Sequence, residues 1–396
     1  PNMSHLRRLS CLLLTAHKTV LFSSSFDASF SKPMHDITNP IHQSWTPRPI
    51  PSDTLIIAYA HDSGKVEQAI SSGVNVVCWS FVNMVNSAGG DPVITTDLNV
   101  TAIRSIREKF KSVLHIAAIG GWNGPHPPPG TSGKKWCDLF VDFNRELGNI
   151  FDGIDWDLEG HDDRSSLTSK FSMDTLDVMA DFSREAKHVH GLTVTMAPAE
   201  SYLDSMATDV DDSQLFSLDL NILPSAWMRS ERDRSIINSS GFSHAGRQCY
   251  AYVLKKAGID TFDWVAIQLY EGFSRYLHET TRIQPESLDS AEAIFRRADA
   301  FYRGYDVNNM PSYGKVNIKI PPHKLVIGVA NGWADGVKFA KISSDDVAQA
   351  QRLLLEKYGP KGLFRGAMFW TIEEEGNDGI FMASSLVTAL KSCKSS

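Results

Sequence analysis

Short apolar runs alternate along this chain with longer stretches of helical period, and the alternation begins near residue 55. Eight runs stand out: 55–60, 75–82, 113–119, 150–158, 192–197, 264–270, 325–329 and 367–371. Several are apolar at almost every position, as parallel strands covered on both faces must be. Between them, apolar spacing predicts helices over 66–72, 100–110, 135–147, 172–188, 243–256, 290–305 and 345–357. Eight strands with intervening helices fit a closed (β/α)8 TIM barrel. No Gly-x-Gly-x-x-Gly opens the first unit to argue for a doubly wound sheet. Residues 24–52 are rich in Ser, Pro, His and Asn and read as a loose arm. The domain division is then 1–50 as leader and arm, and 51–396 as one barrel.

The connections carry information of their own. About 65 residues separate the fifth and sixth runs and about 55 the sixth and seventh. Each exceeds one helix, so both should carry excursions able to wall a groove. Only about 37 residues link the seventh run to the eighth, enough for one helix and its loops.

The fourth run breaks the apolar pattern. Asp152, Asp155, Asp157 and Glu159 fall within eight positions. Alternate strand residues share a face, so Asp155, Asp157 and Glu159 line one side. Asp152, Ile154, Trp156 and Leu158 take the other, where Asp152 is assigned a structural role, such as anchoring a strand start. Successive carboxylates on one face lie roughly 6.6 Å apart along the strand. Partly desolvated like charges at that spacing do not all ionise near neutral pH, so at least one pKa rises. A carboxyl group that keeps its proton at working pH meets the requirement for a general acid. Strand-end placement of Glu159 agrees, because barrel enzymes carry their catalytic groups at the carboxyl ends of the strands.

Asp152-x-x-Asp155-x-Asp157-x-Glu159 resembles the D-x-x-D-x-D-x-E signature of glycoside hydrolase family 18, the chitinases. Further segments are similar to the family over roughly residues 52–392. Ala118-Ile119-Gly120-Gly121 resembles S-x-G-G, with Ala118 in place of a Ser whose hydroxyl bonds the acidic column; the two Gly would allow a tight turn and close sugar approach. Thr195-Met196-Ala197-Pro198 resembles T-M-A-P, which implies that Met196 contacts the N-acetyl pocket. Gln268-Leu269-Tyr270 resembles the Q-x-Y element, with Glu271 where the plant- and fungal-type branch has Asn. Trp370 matches the Trp that floors the central sugar subsite. Tyr59, near the end of the first run, is a candidate sugar contact, with a core role as the alternative. Trp122, Trp227 and Trp333 are weaker subsite candidates near predicted rims.

The resemblance implies a retaining endo-chitinase acting by substrate assistance, an exception to the two-carboxylate scheme. Glu159 would protonate the leaving oxygen, and Asp157 would orient the acetamide. Asp155 would share a proton with Asp157, and Tyr270 would bond the acetamido oxygen. The implied partners are chitin or N-acetylglucosamine oligosaccharides. Family members with a tunnel-like cleft insert a small α+β domain after the seventh strand, and the short link here implies a more open groove. Two other readings remain: an endo-β-N-acetylglucosaminidase acting on N-glycan cores, and a chitinase-like lectin. Such lectins typically lose the last acid of the motif, which is present here.

Composition narrows the alternatives. Net charge is -7 and no basic block occurs, which speaks against nucleic acid. No run approaches the roughly 18 apolar residues of a spanning helix, so no membrane role is expected. No His-Glu-x-x-His, Gly-x-Ser-x-Gly or P-loop occurs, so no metal or other cofactor is expected, and the chain is read as a monomer. The Glu373–Glu375 triplet reads as a solvated loop, with a distal subsite as the alternative. Five cysteines lack metal-ligand spacing; Cys78 reads as a core residue, and a disulfide among Cys137, Cys249 and Cys393 stays open. The stretch from His5, two Arg before a short apolar run, reads as a secretory signal, with a transit peptide or plain leader as alternatives. Asn99 and Asn238 head N-x-Ser/Thr sequons.

Overall fold

The structure is a computed structural model that describes residues 45–393, apart from 123, 160–170, 206–247, 272–273, 278, 281–287 and 337–338. In chain order the strands are β1 (Leu55–Ala60), β2 (Val76–Asn86), β3 (Pro92–Thr96), β4 (Leu114–Gly121), β5 (Gly153–Leu158), β6 (Thr193–Met196), β7 (Trp264–Gln268), β8 (Tyr305–Met310), β9 (Gly314–Ile318), β10 (Leu325–Ala330) and β11 (Gly366–Trp370). Eight of them pair in parallel in the order β1-β2-β4-β5-β6-β7-β10-β11, and β11 returns to β1. The barrel is therefore closed, and each of the eight apolar runs is one of its staves.

The main helices are α1 (Val66–Ser71), α2 (Val100–Lys109), α3 (Gly133–Glu146), α4 (Met173–His188), α5 (Cys249–Ala257), α6 (Ser290–Arg303), α7 (Ser344–Tyr358) and α8 (Met382–Ser392). Their starts are written in the sequence. Asn99, Ser132, Ser172 and Asp289 each accept a first-turn backbone N–H, and Ser343 with Asp346 forms a capping box. Residues 243–247 of the helix expected over 243–256 lie outside the described residues.

Strand alternation divides the core in two. One face of each stave points at the helices and builds the larger cluster, with Trp79, Trp156, Val194 and Met196 among its members. The other fills the barrel interior with Ile57, Tyr59, Cys78, Ile116, Ala118, Tyr270 and Met368, flanked by Phe81 and Trp370.

Two elements escaped the pattern. β2 runs on to Asn86 and pairs antiparallel with β3. The helix expected over 290–305 stops at Arg303, where Gly304 takes φ 87°, and the chain enters the β8–β9 hairpin. That hairpin forms part of the expected excursion between the sixth and seventh runs. The matching one after the fifth run falls largely within 206–247, outside the described residues. The short link between β10 and β11 carries the single long helix α7.

The open question of a disulfide closes: Cys137 in α3, Cys249 in α5 and Cys393 at the end of α8 are buried and none is bridged to another. Residues 1–44 of the expected leader and arm lie outside the described residues. Arg48, just beyond, is held against the base of the barrel. Its guanidinium donates to the carbonyls of Phe110, Val113 and Arg107, and its own N–H to Asp152.

Candidate active site

The interior face of β5 holds the acidic column. Register pairs Ala118 of β4 and Thr195 of β6 with Asp155, so those positions share its inward face. Asp155 accepts hydrogen bonds from the Tyr59 and Thr195 hydroxyls. Ala118 offers no hydroxyl here, and these two supply what the column needs. Next up the strand, Asp157 and Glu159 are hydrogen-bonded to each other. The Gln268 side-chain amide donates to both, at 2.8 and 3.0 Å, and to the Ala197 carbonyl at 2.6 Å. No Lys or Arg pairs with Asp155, Asp157 or Glu159 among the described residues.

Burial without a cation sets the protonation states. Desolvation pushes Asp155 up to about 6, against the two hydroxyl bonds that favour its charged form. Asp157 is held well above the usual carboxylate range by burial first, and then by the charges of Glu159 and Asp155. Glu159 rises to about 7 through burial, opposed by hydrogen bonds from Gln268 and Asp157. The pair therefore keeps a proton near neutral pH, and in the empty site Asp157 donates to Glu159. This is the proton-bearing pair foreseen from the strand period, with the proton shared rather than confined to Glu159.

Aromatic rings form the surroundings. Half-buried Trp370, at the end of β11, lies against Tyr59, His61 and Phe81 with centroids at 5.3, 5.0 and 5.9 Å. Its carbonyl accepts from the Trp333 indole N–H at 2.7 Å. Trp333 also meets the Tyr270 ring edge-on at 5.9 Å. Trp122, directly after β4, is 41% exposed, the one tryptophan among the large exposed apolar side chains of the described residues. Trp227 and Asn238 lie outside the described residues. Asn99 spends its side chain capping α2.

Several expectations need correction. Met196 does not face the cleft. It pairs with Trp156, one residue out of step with inward Thr195, and packs fully buried in the helix-facing core. The methionine inside the barrel is Met368. Gly120 and Gly121 make room for protein rather than sugar. A Cβ at Gly120 would lie 2.7 Å from the Leu158 Cα, and one at Gly121 2.4 Å from the Phe81 ring; both have positive φ. Tyr59, only 2% exposed, has its hydroxyl committed to Asp155 and acts as a brace. Gln268 likewise positions the acid pair. The glutamate triplet is not a solvated loop. Glu373 accepts the N–H groups of His61 and Asp62, and buried Glu375 accepts those of Met382 and Ala383 at the start of α8.

Sequence reasoning passed over three contributors. Thr195 was quoted only as part of a motif, although its register with Asp155 follows from the alternation. Tyr250 donates to the Leu158 carbonyl at 3.0 Å, and His126 lies 3.3 Å from the Glu159 carbonyl. Both fix the backbone beneath Glu159 from distant segments, and no local pattern announces them.

The site is thus an acid cluster, without a cation among the described residues, at the carboxyl ends of the strands of a closed barrel. The comparisons agree on the fold. A family GH18 chitinase from Chromobacterium violaceum superposes with TM-score 0.59 at 16% identity, covering 87% of this chain and 85% of that one. The C-terminal domain of Legionella pneumophila ChiA superposes with TM-score 0.54 at 17% identity, covering 86% and 98%. No family model and no curated protein matches the sequence. The chain thus shares the (β/α)8 fold of these two chitinases.

Proposed function

We propose that this protein is a family 18 chitinase, a retaining enzyme that cleaves β-1,4 bonds between N-acetylglucosamine units within a chain. The observation that carries the reading is the Asp157–Glu159 pair, buried, without a cation among the described residues, and held by Gln268. Glu159 gives its proton to the departing glycosidic oxygen and then takes one from water. The substrate's acetamido oxygen attacks the anomeric carbon, so no protein nucleophile is required. Asp157 orients the acetamide and balances the positive charge of the oxazolinium ion. Asp155, steadied by Tyr59 and Thr195, exchanges a proton with Asp157. Tyr270 bonds the acetamido oxygen, and the Trp370 ring supports the sugar from below. The apolar stretch from His5 supports secretion, which suits a polymeric substrate.

Time-resolved product analysis on a chitin hexamer, with anomers read directly, tests the reading. Internal cleavage with the β-anomer appearing first is expected. Inversion, or an intact hexamer beside a trimmed high-mannose glycoprotein, would overturn it.

A further inference from the structure

Asp138 on α3, Glu185 on α4 and His190 just past the end of α4 come together in the helix layer, outside the barrel interior. One ligating atom of each lies within 4.8 Å of the other two. No spacing motif announces the trio, because its members sit on three separate segments. The scaffold beneath them is rigid. A Cβ at Gly133 would lie 2.5 Å from the Val178 carbonyl oxygen, so α3 and α4 touch backbone to side chain. The N–H groups of Val189 and His190 both donate to the Glu185 carbonyl, and that of Leu192 to Ala186, which fixes the turn carrying the imidazole.

Two separate observations mark this point as a cation site. The His190 Nε2 atom is shut off from water and has no hydrogen-bond partner among the described residues. It faces Asp138 Oδ1 at 3.8 Å, too long for a hydrogen bond. Two atoms bound to one tetrahedral zinc ion at about 2.0–2.1 Å stand about 3.4 Å apart, so a small rotation of the half-exposed Asp138 side chain completes the bite. The second observation is Lys134, whose ammonium group donates to Glu185 Oε1. That bond, with the Asp138 charge added to it, raises the Lys134 pKa. The trio thus already draws a positive charge. The lysine holds it loosely, because its side chain is 64% exposed and an ion pair so open to water contributes little.

We propose that Asp138, Glu185 and His190 bind a zinc ion that ties α3 to the turn ending α4. One imidazole nitrogen and two carboxylate oxygens are a ligand set that zinc takes, with water in the fourth position. Calcium and magnesium demand six or more oxygen ligands and gain little from the imidazole. Lys134 swings into solvent as the ion arrives, and its charge is replaced by a larger one. The site is structural, and it does not rest on the chitinase reading.

The test takes the full chain, stripped with a chelator, and titrates it with zinc by calorimetry and with cobalt(II) as a spectroscopic probe of coordination. The chain has 13 histidines, so the site is read as the binding that responds to mutation. One equivalent of zinc is expected to weaken by about thirtyfold or more in His190→Ala and in Asp138→Asn. Lys134→Met should instead tighten it about fivefold, because a competing charge is gone. A misfolded variant cannot produce that gain. Cobalt(II) should give the visible bands of a four-coordinate ion in the unaltered chain and lose them in His190→Ala. Zinc should also raise the melting temperature of the unaltered chain and leave that of His190→Ala unchanged. Zinc binding that neither His190→Ala nor Asp138→Asn alters overturns the inference. So does a Lys134→Met chain that binds zinc no more tightly, which makes the trio an anchor for the lysine alone. None of these readouts uses chitin, so failure of the hydrolase reading leaves them intact.

Discussion

The two ends of β5 treat the same side chain in opposite ways. At the amino end Asp152 is fully buried and surrounded by donors. Arg107 grips both its oxygens, at 2.5 and 2.7 Å, and the backbone N–H groups of Arg48 and His115 complete the shell. At the carboxyl end Asp157 and Glu159 are also buried, but among the described residues their carboxyl groups have only Gln268 and each other. A paired carboxylate serves as a fixed anchor, here clamping β5 to α2 and to the segment before β1. An unpaired one keeps its proton and can give it away. The motif therefore contains two devices, and the placement of arginines separates them.

The sharpest way to break that contrast is to remove the proton donor. Glu159→Gln should lower turnover on chitin oligosaccharides by about a thousandfold or more while oligosaccharide binding persists, as steady-state kinetics beside calorimetry would show. At the other end, Arg107→Leu leaves Asp152 with backbone donors only. It should cost about 3 kcal/mol in denaturant unfolding without touching the cleft's pH profile. A stability loss at Arg107 matched by no change at Glu159 is what the division of roles requires.

Titration sharpens the comparison further. Glu159 has a folded pKa near 7, above its unfolded value, so the folded state binds the proton more tightly. Its contribution to stability is fully present below the unfolded pKa of about 4.5 and is lost as pH rises through about 7. Unfolding free energy should fall by about 3 kcal/mol across that window, and Glu159→Gln should flatten the fall. A smaller effect is expected at Tyr59→Phe. That change removes one donor to Asp155 and should raise its pKa above about 6 by less than about one unit, read from the acidic limb of the pH–rate profile.

The sequence made the barrel legible because its staves are continuous apolar runs and its helices start with Ser, Asn or Asp caps. β8 and β9 were not, since each alternates over only two or three apolar positions (Tyr305 and Val307; Val316 and Ile318), too few to stand out beside the continuous runs. Inside the site, the period of two placed Asp155, Asp157 and Glu159 correctly on one face. The same count would have placed Thr195 inward and Met196 outward. The motif likeness suggested the reverse, and the geometry followed the count. Gln268 as the link between the acids is a contact across more than a hundred residues, and Tyr250 another beyond ninety. Contacts that long depend on barrel closure, which no local pattern encodes.

The central claim is that Asp157 and Glu159 hold one proton between them up to neutral pH. Side-chain carboxyl carbon NMR of the full chain, with Glu159→Gln for assignment, measures this directly. Two resonances moving together near pH 7, and lost as a pair in the variant, are the predicted result. Independent titration of both carboxyls below about pH 5, as for exposed side chains, would contradict it.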